Sequence, residues 1–197
     1  CDWSSDVCSS DLTGRVRDAG FPPSPEAYSR RPEYDSIFGA YKALRSCQVP
    51  VIGVIEGRCM GFGMAIASLF DVSFAADTAT FNIPEIAHNV MPTMVMSALY
   101  DRMNRNAILS MANSADFISA QQAMQYGVVS NVVPAAELKQ AVERYCQILL
   151  SRPRPAILGL KEYLRVTPRM DEQGAIDYAR ALHSMVNTAA EMKKKPH

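Results

Sequence analysis

Two features of the chain could do chemistry together: the glycine-bearing run GRCMGFG at 57–63, which leads into the apolar stretch MAIASLF, and the carboxylate of Glu85, which follows FNIP. With the apolar run VIGVIEG at 51–57 before it, the first reads as a glycine turn between a strand and a helix start. The opening N–H groups of a helix have no intrahelical partner and point outward, toward any oxygen that gains negative charge there. A thioester carbonyl that becomes an enolate needs two such donors on its oxygen and a carboxylate beside the adjoining carbons. Most glutamates at strand ends are simply solvated, so residue type makes Glu85 a candidate for that carboxylate and no more.

Other chemistries lack their residues. There is no GxSxG elbow, and His88, His183 and His197 have no evident Ser or Cys partner for a nucleophilic triad. GRCMGFG lacks the GK[ST] ending of a phosphate loop, and its glycines are misplaced for a dinucleotide fingerprint. Cysteines at 1, 8, 47, 59 and 146 show neither zinc-ligand spacing nor a disulfide framework, so no metal is expected and a reducing cytoplasm is the simplest compartment. Twenty basic side chains balance twenty acidic ones, which argues against a nucleic-acid surface. The longest apolar run, CMGFGMAIASLF at 59–70, is too short and too glycine-rich to span a bilayer. The expected partner is a small molecule or another copy of the chain.

Several neighbours of the two features have plainer readings. His88 could tune Glu85 but reads as a loop residue with a local hydrogen bond. Met60, Met64, Met91, Met94 and Met96 could form an adaptable apolar pocket, with core packing as the alternative. Arg58 could meet a phosphate, and an exposed solvated arginine is the simpler reading.

The elements that must position these residues follow from periodicity and turn chemistry. Residues 1–12, CDWSSDVCSSDL, match a translated sequencing adapter in register over DWSSDVCSSDL and are set aside, leaving 20 basic against 17 acidic residues. Residues 13–34 read as an exposed loop, and 35–197 as one partial domain without repeats. Ile37, Phe38, Tyr41 and Leu44 put an apolar stripe on a helix from Ser36 to near Cys47. Strands are expected at 51–57, 71–76, 79–83 and 128–133, with a helix between the first two. Beyond Pro92 the chain reads mostly helical. Ser119 and Gln122 have capping-box spacing, Gly127 is a helix stop, Pro134 and Pro155 introduce helices, and a last helix is expected from about Asp171 to Lys193.

The run VPVIGVIEGRCMGFGMAIASLFDVSFAADTATFNIPEI at 49–86 resembles the PVIAAVNGxxxGGGxxLALxCDxxxAxxxAxFxxPE signature of the enoyl-CoA hydratase/isomerase, or crotonase, superfamily. Pro92 fits that family's LGxxP turn, and ADFISAQQAMQYGVVSNVVPAAEL resembles TGxxxSAxEAxxxGLVxxVVPxxEL, so the likeness covers most of 36–151. The resemblance implies an α/β fold, a crotonase-like spiral of ββα units with a helical C-terminal region, assembled as homotrimers or hexamers. It implies an acyl-CoA substrate, with coenzyme A as part of that substrate and no separate cofactor.

Residue by residue, the resemblance makes the backbone N–H of Phe62, between Gly61 and Gly63, the second oxyanion donor. Glu85 falls on the family's second catalytic glutamate. Its first falls on Ala65, and Thr93 stands where hydratases often have a glycine that helps hold water; Gly61, Gly63, Ala65 and Thr93 are thus the expected substrate-binding positions. Asn89 replaces the glycine of LGxxP, and Asp71 matches a turn-fixing CD pair. One carboxylate suits moving a double bond better than adding water, so isomerisation is favoured. The alternatives are a noncatalytic acyl-CoA-binding or assembly subunit, or another crotonase chemistry such as decarboxylation, dehalogenation or C–C cleavage. The other oxyanion loop is expected upstream of Thr13, which would leave residues 13–197 alone inactive.

Overall fold

The computed structural model describes residues 31–193. The adapter-like prefix and residues 13–30 of the expected loop lie outside them. Helix α1 spans Arg31–Ser46, so the expected loop gives way to helix at Arg31 rather than after residue 34. Pro32 is the second residue of α1. Proline reads as a loop marker in sequence, yet in a first helical turn its missing N–H costs nothing.

Two units of the same kind follow. Strand β1 (Ile52–Ile55), strand β2 (Arg58–Met60) and helix α2 (Phe62–Leu69) form the first. Strand β3 (Val72–Ala76), strand β4 (Thr80–Asn82), a 3-10 turn at Glu85–His88 and helix α3 (Thr93–Leu99) form the second. In each unit the first strand joins one sheet and the second strand the other. β1 pairs with β3 in parallel, Val54 opposite Phe74, and β2 with β4 in parallel, Cys59 opposite Phe81. Helix α4 (Arg105–Ser114), strand β5 (Ile118–Ser119), helix α5 (Ala120–Gln125) and strand β6 (Asn131–Val133) complete the sheets as β1-β3-β6 and β2-β4-β5. β2 and β5 were absent from the sequence expectations: β2 lies between two glycines that read as one turn, and β5 has only two residues. Positive φ at Gly57 and Gly61 brackets β2 and lets the chain turn sharply at both ends.

The core lies where α2 and α3 pack on the sheets. Met64, Leu69, Phe81, Ile83 and Leu99 are at most 1% exposed. At their low mutual accessibility these side chains each contribute roughly 1.5–3 kcal/mol of transfer free energy. Helix α5 has both bonds of its capping box, with Gln122 N–H donating to Ser119 Oγ at 3.2 Å and Ser119 N–H donating to Gln122 Oε1 at 3.0 Å. It stops at Gly127, φ 86°, with Gly127 N–H donating to Met124 O and Val128 N–H to Ala123 O.

Helices α6 (Leu138–Leu150), α7 (Arg154–Val166) and α8 (Glu172–Asn187) form the C-terminal region. α8 ends at Asn187, short of the expected Lys193. Asn187 Nδ2 and Thr188 Oγ1 donate back to the carbonyls of His183 and Ser184, which closes the last turn, and a separate 3-10 turn follows at Ala190–Lys193. Among the described residues no helix is long and apolar enough to cross a membrane.

Asp71 ties this region to the sheets. Its Oδ2 accepts from Val51 N–H at 2.7 Å and from Lys161 Nζ of α7 at 2.6 Å, and Lys161 also donates to the Val49 carbonyl at 2.7 Å. The Lys161 side chain is 9% exposed. Asp71→Ala would leave that ammonium and the Val51 N–H short of an acceptor, and should destabilise the protein by about 2 kcal/mol. Urea unfolding midpoints read it; an unchanged midpoint would remove the structural role of Asp71.

Candidate active site

Gly61 joins β2 to α2 at φ 50°, ψ −114°, a conformation that side chains with a Cβ rarely adopt. Its N–H donates to the Asn82 carbonyl of β4 at 3.1 Å, and its carbonyl accepts from Ala65 N–H at 3.0 Å. Both bonds fix the turn. No side chain caps α2, so the N–H groups of Phe62, Gly63 and Met64 open the helix without intrahelical acceptors.

Glu85 arrives at the same turn from β4. Ile83 is fully buried, Pro84 follows, and Glu85 opens the 3-10 turn. Its Oε1 lies 2.7 Å from where a Cβ on Gly61 would stand. The carboxylate thus rests on the turn that starts α2. Burial pushes its pKa above the usual carboxylate range, opposed by its own backbone N–H and by the charge of His88. Oε2 is buried without a hydrogen-bond partner.

The turn behind Glu85 closes through Asn89, at φ 56°, ψ 32°. Asn89 N–H donates to the Ile86 carbonyl and Val90 N–H to the Glu85 carbonyl, each at 3.0 Å. Asparagine tolerates the left-handed region, so it performs the backbone task of the glycine it replaces.

The other expected positions separate. Gly63 is buried in α2, and Ala65 is fully buried in the core, presenting no surface to a ligand here. Thr93 is exposed at the start of α3, with its N–H bonded to Met91 O. The methionines do not share a surface: Met64 is fully buried and Met91 is 73% exposed. Arg58 lies over the Phe117 ring, 4.6 Å from its centroid. Among the described residues no cluster of His, Cys, Asp or Glu could hold a metal.

One residue joins the site that sequence reading placed only in an apolar stripe. Tyr41 of α1 is 5% exposed, and its ring stacks on that of Phe62 with centroids 5.9 Å apart and planes at 19°. Burial, then the charge of Glu85, pushes its pKa up to about 12. Only long-range packing brings residues 41, 62 and 85 together, so no local signal could have found this.

The repeated ββα unit, with an uncapped helix start and a half-buried carboxylate at one turn, defines a crotonase-type α/β scaffold. Solved structures with the same fold include an enoyl-CoA hydratase of Mycobacterium smegmatis, TM-score 0.83 at 19% identity over 90% of this chain and 72% of that one. Human enoyl-CoA hydratase domain-containing protein 3 superposes with TM-score 0.81 at 23% identity, over 87% of this chain and 72% of that one. The enoyl-CoA hydratase/isomerase family pattern matches residues 26–197, and the chain belongs to that family. It is 29% identical to carnitinyl-CoA dehydratase of Escherichia coli over 167 residues, 83% of this chain and 64% of that protein. The chain thus spans less than two thirds of the length of that curated relative.

Proposed function

We propose that the whole protein is an acyl-CoA thioester enzyme in which Glu85 moves protons at the carbons beside the thioester while backbone N–H groups at the start of α2 hold the enolate oxygen. The observation that carries this reading is the contact of Glu85 Oε1 with the Gly61 turn, 2.7 Å from a Cβ position there. It puts a base next to the uncapped N–H of Phe62, the pairing that enolate chemistry needs. Burial raises the basicity of the carboxylate and brings its pKa nearer to neutral, where a general base works best.

Ala65 offers no second acid or base. With one carboxylate, the supported reaction is a double-bond shift, in which Glu85 takes a proton from C2 of a 3-enoyl-CoA and returns it at C4. Coenzyme A enters as part of the substrate, with no other cofactor. A second reading, loss or addition of water, is favoured by the name of the relative, carnitinyl-CoA dehydratase. Assaying both reactions side by side in the full-length protein tests the choice.

Assembly as a homotrimer or hexamer fits the C-terminal helices, where Leu160, Leu164 and Met185 are 61–69% exposed. A reducing compartment, the cytoplasm in the simplest case, suits Cys47 and Cys146, which form no disulfide.

A further inference from the structure

The turn that starts α2 reads Gly61, Phe62, Gly63, and Phe62 supplies its only side chain. The backbone bonds of Gly61, to the Asn82 carbonyl and from Ala65 N–H, orient the Gly61–Phe62 peptide within β4 and α2. No side chain caps the helix. What ties this helix start to the layer above it is the Phe62 ring.

That ring stacks on Tyr41 of α1, with centroids 5.9 Å apart and planes at 19°. Phe38, one turn earlier on α1, packs edge-on against the same tyrosine, with centroids 6.1 Å apart and planes at 79°. Both are arrangements that aromatic pairs favour. Tyr41 is 5% exposed, and its hydroxyl has no hydrogen-bond partner, so the side chain is located by its ring. α1 is itself fastened one turn further on, where Arg45 donates to Asp101 Oδ1 at 2.7 Å and to the Ala98 carbonyl of α3 at 3.0 Å. The stack thus joins the start of α2 to an anchored helix.

We propose that Tyr41 is a positioning residue acting through Phe62: its ring, stacked on that of Phe62, holds the start of α2 where the Phe62 N–H meets the thioester oxygen. The role rests on the reading of that N–H as an oxyanion donor. Such a donor works only within about 2.7–3.1 Å of the place the charged oxygen will occupy, and a displacement of about 1 Å can cost about 10²-fold in rate. A helix start with glycine on both sides of its one side chain has no other side-chain restraint against that displacement. The role asks for the ring of Tyr41 and not for its hydroxyl.

The test uses butanoyl-CoA labelled with ¹³C at the thioester carbonyl, whose saturated acyl group has no double bond to shift or hydrate. Hydrogen bonds to a carbonyl lower its stretching frequency, so difference infrared spectra of the probe on the full-length protein read how well the donors are placed. Wild type and Tyr41→Phe should show the same downshift, and Tyr41→Leu should lose most of it. In Tyr41→Leu, kcat on an enoyl-CoA should fall by about 10²-fold with KM little changed. Phe62→Leu keeps the N–H and removes the ring; it should lose the same downshift, and the double variant should lose no more than either single one. A full downshift in folded Tyr41→Leu would overturn the proposal, as would its loss in Tyr41→Phe; should Tyr41→Leu not fold, Phe62→Leu decides in its place. Wild-type protein that binds the probe with no downshift would refute the Phe62 N–H as oxyanion donor, and the positioning role would fall with it.

Discussion

Glu85→Gln should lower turnover of an enoyl-CoA substrate by about 10²-fold or more while leaving thioester binding largely unchanged, because it keeps the shape of the side chain and removes the base. The same change should raise stability at neutral pH. Burial lifts the Glu85 pKa in the folded state above its unfolded value, so the folded protein holds that proton more tightly. The ionised side chain then costs stability, a cost absent below the unfolded pKa and complete above the folded one. Glutamine carries no such cost. Urea midpoints of wild type and variant should therefore converge near about pH 4 and diverge, with the variant ahead, as pH rises through the Glu85 titration. A variant that is fully active, or less stable at neutral pH, contradicts this account of the site.

Gly61→Ala should damage both fold and activity. An alanine there must accept φ 50°, ψ −114°, and its Cβ would stand 2.7 Å from Glu85 Oε1. The backbone strain alone is worth about 1–3 kcal/mol. Glu85 can swing away from the new methyl group, but doing so removes the base from the helix start, so turnover should fall by about 10²-fold, beyond what partial unfolding explains. The measurement is kcat on protein shown folded by its unfolding midpoint. Wild-type kcat in folded Gly61→Ala would mean that the carboxylate need not rest on this turn.

Much of the positioning scaffold is legible in local sequence because local chemistry sets it. Ser119 and Gln122 form the capping box their spacing announces, and Gly127 ends α5 at positive φ. The strands at 52–55, 72–76 and 80–82 fall inside the β-branched and apolar runs that suggest them. What escapes is short or nonlocal. β2 is enclosed by Gly57 and Gly61, which read as a turn, and α1 starts earlier than its apolar stripe because a proline can sit in a first turn. Asn89 looks like a lost glycine until its backbone is seen in the left-handed region. The meeting of Tyr41, Gly61 and Glu85 depends on how α1 and the two ββα units pack, and no residue spacing encodes it.

In the proposed mechanism one carboxylate, Glu85, serves the site, while Ala65 lies closed in the core. The most direct test is the ratio of two rates in the unmutated, full-length protein: conversion of a 3-enoyl-CoA to its 2-enoyl isomer, and hydration of a 2-enoyl-CoA of the same chain length. A ratio in favour of isomerisation is the predicted result. Dominant hydration would contradict it.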